Sequence, residues 1–215
     1  MDPVVIAVSN SFEPFPTSLA GGGAPKRKVE YASGAVVSAG GDIVTDARAV
    51  AECEFILVPG RGRADKVAEQ DGLALLHVYG ARDSAPLPLA SEAAQRGEVV
   101  LVGVADPQAQ GGRSAVSTAR AEATPSADGV SITPTPGSGF AGATALDPDG
   151  RLVGLVTPRP QMVAGPTSAG VGAAVLVPVA AVKALLAKQG VAAASGRLSL
   201  EAAKAAVVRV ICVRE

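Results

Sequence analysis

Short apolar runs separated by turns dominate the chain and predict β-strands. The clearest runs cover Val4 to Ser9, Phe55 to Pro59, Leu73 to Val78 and Val99 to Val104. The run from Val99 is apolar at nearly every position, which is typical of a strand buried on both faces. The pattern therefore predicts an all-β protein with a sizeable core.

Two hairpins can be placed by their turn residues. Between residues 31 and 50, two apolar runs flank a Gly-Gly-Asp turn, and the segment 135–156 contains a Gly-rich loop, a strand, a turn and a second strand. Gly150 follows Asp147-Pro148-Asp149 and suits the positive φ that closes such a turn. Both segments are predicted to be antiparallel strand pairs.

Helical spacing is found near the carboxyl end. Pro178 to Gly190 begins with Pro, has apolar residues three and four apart, and ends at Gly. Ser199 to Ala206 predicts a short capped helix, and Val207 to Val213 predicts a strand. Two interpretations of this last segment are open: it enters a further domain of a longer or tandem protein, or its strand pairs with the first part of the chain.

Composition excludes several function classes. The 215 residues are 48% hydrophobic, with four Phe, two Tyr and no Trp, so the core is built from small side chains. A formal net charge of −1 gives no field to hold a polyanion, so nucleic acid is not expected as a partner. No signal peptide and no membrane span are predicted. One His and two Cys cannot form a ligand set, so no metal and no cofactor are expected.

The two cysteines, Cys53 and Cys212, leave the redox state open. They could form a disulfide or remain as two buried thiols. A disulfide requires the C-terminal strand to pair with the first part of the chain, and sequence alone does not show that proximity.

The order of the motifs resembles the trypsin-like serine proteases of the bacterial HtrA type. The segment Gly139 to Thr144 resembles their Gly-Asn-Ser-Gly-Gly-Pro loop, and Ile43 to Val50 resembles their Ile-Leu-Thr-Asn-Ala-His-Val-Val strand end. The resemblance implies two six-stranded antiparallel β-barrels in the chymotrypsin manner with a C-terminal helix. It places the first barrel in residues 1–95, the second barrel with its helix in residues 96–190, and a helix-strand extension in residues 191–215.

All three catalytic positions of that family are changed in this chain. The general base corresponds to Arg48, the acid to Gly72 and the nucleophile to Ala141, with Asp71 displaced by one residue from the acid position. A guanidinium cannot accept a proton at physiological pH, and a methyl group cannot attack a carbonyl. The resemblance therefore implies a pseudoprotease, a protease fold with a degenerate triad.

A cleft without catalysis could still bind a protein or peptide. In this family, backbone N–H groups near Gly139 and Ala141 form the oxyanion hole, and a strand corresponding to Gly172, Ala173 and Ala174 lines the substrate pocket. The resemblance therefore implies six peptide-binding candidates, which are Gly139, Phe140, Ala141, Gly172, Ala173 and Ala174. The alternative is a scaffold or dimerisation module whose cleft is filled by Phe140. The resemblance favours a bacterial periplasm or cell envelope, with a homo-oligomer or a tandem domain as further partners.

An active enzyme is the rival hypothesis. It takes Ser138 as a displaced nucleophile and His77, the only histidine, as the base of a serine endopeptidase. This requires His77, on the run from Leu73 to Val78, to reach a loop in the other barrel. Aligning Ser138 with the nucleophile of the family also leaves three extra residues before the hairpin at Gly150.

Overall fold

The structure is a computed structural model that describes residues 28–81, 85–94, 96–105, 116–127, 129–137, 139–159 and 173–214. The strand predicted at Val4 to Ser9 lies outside these residues. Within the described part of the chain, no helix is long and apolar enough to cross a membrane.

The first barrel is closed by six antiparallel strands in the order β1-β12-β3-β4-β5-β2. Its strands are β1 (Lys28–Val36), β2 (Asp42–Asp46), β3 (Phe55–Val58), β4 (Gly62–Gln70), β5 (Leu73–Val78) and β12 (Val207–Arg214). Ala32, Ile43, Leu76 and Val210 are among the buried residues of its interior.

The second barrel is also closed by six antiparallel strands, in the order β10-β11-β8-β7-β6-β9. Its strands are β6 (Gly97–Val104), β7 (Val116–Ser126), β8 (Gly129–Thr133), β9 (Thr144–Leu146), β10 (Leu152–Pro158) and β11 (Ala174–Pro178). The prediction of two six-stranded antiparallel barrels is confirmed.

The last strand belongs to the first barrel. Along β12, Ile211 is paired with Tyr31 of β1 on one side and with Leu57 of β3 on the other. Of the two interpretations of the C-terminal segment, the structure has the one in which its strand joins the first barrel. Residues 207–214 are thus not an appendage to the double barrel but the strand that closes one half of it.

A disulfide fastens β12 to the loop that follows β2. It joins Cys53 to Cys212, whose Cα atoms are 5.4 Å apart although 159 positions separate them in sequence. The Arg214 guanidinium adds a hydrogen bond from Nε to the Ala51 carbonyl at 2.9 Å. Both contacts hold the end of the chain against the segment after β2.

Two helices follow the second barrel. The helix α1 (Val179–Lys188) ends before Gly190, which has a φ of +69°, and buries its apolar face of Val179, Val182, Leu185 and Leu186. These side chains share one cluster with Leu73 and Leu75 of the first barrel and Leu146, Leu152 and Leu155 of the second. Each such burial contributes roughly 1.5–3 kcal/mol, so α1 helps to hold the two barrels together.

The helix α2 (Leu200–Ala205) leads into β12. The Ser199 hydroxyl caps it by accepting a hydrogen bond from the Ala202 N–H at 3.2 Å. This satisfies one of the free donors at the helix amino end. Ala203 is fully buried in the same cluster as α1, so α2 docks the chain before it enters the first barrel.

Candidate functional site at the seam between the barrels

Arg48 stands directly after β2, as the first residue of a 3-10 helix, Arg48–Val50. The Asp46 carboxylate shapes this turn, because its Oδ1 accepts a hydrogen bond from the Arg48 backbone N–H at 2.8 Å. The Arg48 side chain is exposed, and its Nη1 donates to the Pro158 carbonyl of β10 at 3.4 Å. Arg48 thus reaches from the first barrel to the second across the seam, the line of contact between them.

Gly72 lies in the two-residue turn between β4 and β5. Asp71 and Gly72 have φ values of +52° and +77°, and Gln70 pairs directly with Leu73. Asp-Gly with two positive φ angles is the preferred composition of such a tight hairpin turn. The Asp71 side chain is exposed and accepts a hydrogen bond from Gln70 Nε2 at 3.1 Å.

Ala141 lies in the loop that enters β9. Its carbonyl accepts a hydrogen bond from the Ser33 N–H of β1 at 2.8 Å, and its methyl group packs against the interior cluster of the first barrel. The next residue, Gly142, has a φ of +74°, and a Cβ there would lie 2.3 Å from the Ser33 carbonyl oxygen. Only glycine allows this approach of the loop to the first barrel.

These contacts bring the three predicted positions to one side of the seam. Arg48 and Gly72 are neighbours, because the Ala47 N–H donates to the Gly72 carbonyl at 2.9 Å. The loop containing Ala141 faces the same strand end, since a Cβ on Gly142 would also meet the Thr45 hydroxyl and the Asp46 N–H.

Ser33 joins the loop to both barrels. Its hydroxyl donates to the Gly139 carbonyl at 2.9 Å and accepts from the Val104 N–H at 2.8 Å, and its own carbonyl accepts from Thr45 Oγ1 at 2.6 Å. The side chain is fully buried. The sequence did not single out Ser33, because a serine within an apolar strand carries no sign of such a role.

Asp46 is a second residue that sequence reasoning missed. It is 1% exposed, and burial raises the pKa of its carboxyl above the usual range, although the Arg48 N–H and other hydrogen bonds lower it. Its Oδ2 and the Thr157 Oγ1 of β10 are both buried, and neither has a hydrogen-bond partner within the described part of the chain. The sequence did contain one sign of Asp46, because an Asp stands there in place of the Asn of the Ile-Leu-Thr-Asn-Ala-His-Val-Val motif.

The loop before β9 presents free backbone donors. Gly139 and Phe140 turn sharply, with a Gly139 φ of +92° and a hydrogen bond from the Phe140 N–H to the Gly137 carbonyl at 3.3 Å. Among the described residues, the N–H groups of Gly139 and Ala141 have no acceptor. Two unpaired donors one residue apart can bind a single carbonyl or carboxylate oxygen.

The Phe140 side chain belongs to the second barrel. It is 7% exposed and packs in the interior cluster of that barrel, close to Gly103. It therefore lies in the core and does not fill a cleft. Of the predicted pocket strand, Ala174 is buried, Ala173 is exposed with its carbonyl accepting from the Arg159 N–H at 2.7 Å, and Gly172 lies outside the described residues.

His77 lies at the other end of β5. Five residues separate it from Gly72, which corresponds to roughly 16 Å along a strand. Its Nδ1 is 2.7 Å from Asp42 Oδ1, and its ring packs edge-on against Tyr79. Ser138 lies outside the described residues, but its neighbour Gly139 contacts the Ser33 end of the seam. The geometry of His77 therefore gives no support to a base for that loop.

Within the described residues, no group of three or more His, Cys, Asp or Glu side chains is placed to hold a metal ion. The groups described at the seam are the permanently charged Arg48 guanidinium, the buried Asp46 carboxyl, and the backbone N–H groups of Gly139 and Ala141. Such a set can bind a polar ligand.

Comparison with known proteins agrees with this fold. Residues 32–155 match a family described as Trypsin-like peptidase domain. No curated protein matches the chain's sequence.

Solved serine proteases have the same architecture. The inactive form of a serine-to-alanine variant of Rv3671c from M. tuberculosis aligns with a TM-score of 0.53 and 22% identity, over 75% of this chain and 85% of that one. A serine endoprotease from Yersinia pestis aligns with a TM-score of 0.56 and 20% identity, over 77% and 62%. The MamO protease domain from Magnetospirillum magneticum aligns with a TM-score of 0.56 and 18% identity, over 73% of this chain and 93% of that one. At these identities the likeness shows the fold alone.

Proposed function

Because this chain belongs to the family of trypsin-like peptidase domains, we propose that it is a catalytically inactive member that binds a protein or an extended peptide between its barrels. The observation that carries the proposal is the Arg48 side chain at the seam, bound to the Pro158 carbonyl. A cation occupies the place that the family gives to its general base.

The loss of hydrolysis follows from the side chains at positions 48 and 141. A protonated guanidinium cannot take a proton, and the Ala141 methyl offers no nucleophile. Loss of either group in a serine protease lowers turnover by roughly a millionfold, and losing both is no worse. Solved structures of this fold include active and inactive forms of one protease, so the fold itself leaves the catalytic state open.

Binding depends on groups that side-chain replacement leaves intact. The Gly139 and Ala141 N–H groups are free among the described residues, and they can donate hydrogen bonds to a peptide carbonyl. Ala173 is exposed directly before β11, so an extended ligand can reach it. Since Phe140 is buried in the second barrel, it leaves this surface open.

Hydrolysis is tested with a fluorophosphonate probe and unfolded casein. We expect no labelled residue and no cleavage above the buffer rate. A labelled serine, Ser138 above all, would overturn the proposal and establish an endopeptidase with a displaced nucleophile.

Binding is tested with an array of extended peptides and two Trp variants. Ala173→Trp places a bulky side chain beside β11, whereas Tyr79→Trp changes a residue that is 71% exposed at the far end of β5. We expect Ala173→Trp to lose the peptides that the unchanged chain and Tyr79→Trp retain. A chain that binds no peptide, or loses none on Ala173→Trp, would instead be a scaffold.

A further inference from the structure

We infer that Asp46 supplies the carboxylate that position 72 lacks, so that the acid of the triad has moved from the start of β5 to the end of β2. The inference rests on the proposed function only in assigning positions 48 and 141 to the former base and nucleophile. It makes Asp46 a positioning residue for any imidazole at position 48.

The register of β2 and β5 places Asp46 beside the vacated position. Asp46 pairs directly with Leu73, the residue after Gly72, and the next residue, Ala47, donates its N–H to the Gly72 carbonyl. Directly opposite residues of antiparallel strands have Cβ atoms about 4.5–5.5 Å apart. Asp46 and Leu73 therefore lie side by side on one face of the strand pair, and Asp46 is one residue pair away from Gly72.

The Asp46 carboxyl is also directed at position 48. Its Oδ1 accepts the Arg48 N–H at 2.8 Å, which fixes the carboxyl beneath the turn carrying that side chain. Its Oδ2 is buried and has no hydrogen-bond partner among the residues that the structure describes, so one oxygen remains available there. In a Ser-His-Asp triad, a buried carboxylate holds the imidazole in the required tautomer and stabilises the imidazolium.

The surroundings of Asp46 suit that task. The Thr157 hydroxyl lies near enough to lower the pKa of the carboxyl, although the two groups do not meet with hydrogen-bond geometry. Arg48 is the charged side chain whose field acts on Asp46, and its positive charge favours the carboxylate. A neighbouring imidazolium would have the same effect.

The deciding experiment places an imidazole at position 48. In Arg48→His, the pKa of the introduced ring is measured by NMR titration, and the measurement is repeated in Arg48→His/Asp46→Asn. An ionised carboxylate in contact raises an imidazole pKa, so we expect the value to fall by about one unit or more in the double variant. His77 is an internal control whose own titration should not change.

Asp46→Asn retains an oxygen that can accept the Arg48 N–H, so the turn after β2 keeps its hydrogen bond. Because the variant keeps this hydrogen bond and loses only the charge, a change in the imidazole pKa reports the Asp46 carboxylate and not the shape of the turn. Equal pKa values in the two backgrounds would overturn the inference.

A second measurement restores the nucleophile. Arg48→His/Ala141→Ser should hydrolyse an activated aryl ester faster than Ala141→Ser alone, and adding Asp46→Asn should reduce that gain at least tenfold, since the triad acid is worth up to about ten-thousandfold. A gain that is independent of Asp46 would count against the inference. If no gain is seen, the titration decides. Failure of the proposed function would appear separately, as hydrolysis or absent peptide binding in the unchanged chain.

Discussion

The Ser33 hydroxyl donates a hydrogen bond of 2.9 Å to the Gly139 carbonyl, although 106 positions separate the two residues. Ser33 is in β1 of the first barrel, and Gly139 opens the loop that leads into the second barrel's β9. The same hydroxyl accepts the Val104 N–H at 2.8 Å. One buried side chain therefore satisfies two backbone groups of the second barrel and sets the position of the loop at the seam.

Ser33→Ala should destabilise the protein strongly. The change leaves the Gly139 carbonyl and the Val104 N–H without partners in a buried place, and each such group costs about 1–3 kcal/mol. We expect the free energy of unfolding to fall by about 2–4 kcal/mol in urea titrations. Ser126→Ala is the control, because Ser126 is exposed and its hydroxyl binds only the Gly129 carbonyl; it should stay within about 0.5 kcal/mol.

Gly142→Ala should be more harmful than the same change at Gly60. The two glycines have φ values of +74° and +77°, so both variants carry a left-handed strain of about 1–2 kcal/mol. Only at Gly142 would the new methyl overlap backbone, at 2.3 Å from the Ser33 carbonyl oxygen; at Gly60 nothing lies within 4 Å. We expect a loss of about 3 kcal/mol or more for Gly142→Ala in thermal unfolding. Equal losses would mean that the loop does not press on β1.

The apolar pattern predicted several elements closely because those elements are buried. The strand placed at Leu73 to Val78 is observed at Leu73–Val78, and the helix placed between Pro178 and Gly190 is observed at Val179–Lys188. β4 was missed, since its sequence alternates charged residues such as Arg63 and Asp65, and Ala64 is its one buried position. A strand on the outer wall of a barrel does not need an apolar pattern, because backbone pairing with its neighbours suffices.

The order of the motifs predicted the architecture of two barrels. It did not predict which distant strands pair with one another. Nothing local specifies that Ile211 pairs with Tyr31 and Leu57, because that pairing depends on the closure of the barrel. Burial of Asp46 is similarly a tertiary property: the residue faces Thr157 of the other barrel, more than a hundred positions away. The substituted positions Arg48, Gly72 and Ala141 could thus be named from the sequence, while the buried carboxyl of Asp46 could not.

Removing the disulfide should loosen the C-terminal strand. Cys53 and Cys212 close a loop of 159 positions, and a cross-link over such a span stabilises by roughly 3–5 kcal/mol through the unfolded state. Cys53→Ala/Cys212→Ala should lose about that much in chemical unfolding, and dithiothreitol should lower the stability of the unchanged chain to a similar degree. Amide exchange should accelerate first along β12. An unchanged unfolding midpoint after verified reduction would contradict this.

Ionisation of Asp46 should make the free energy of unfolding depend on pH, and Asp46→Asn should remove that dependence. Burial raises the pKa of its carboxyl above the ordinary value of 3.8, which holds in the unfolded chain. A raised folded-state pKa means that the unfolded chain releases the proton first, so the stabilising contribution is complete below pH 3.8 and is lost as pH rises through the folded-state pKa. The Asp46→Asn variant has no carboxyl to ionise at this position. Its free energy of unfolding, relative to that of the unchanged chain, should therefore increase over that pH interval and then level off. Thermal unfolding of both proteins between pH 3 and pH 8 measures the difference. Parallel curves would show that the Asp46 carboxyl ionises equally easily in both states, and an advantage that shrinks with rising pH would show that the Arg48 N–H and the Thr157 hydroxyl outweigh burial.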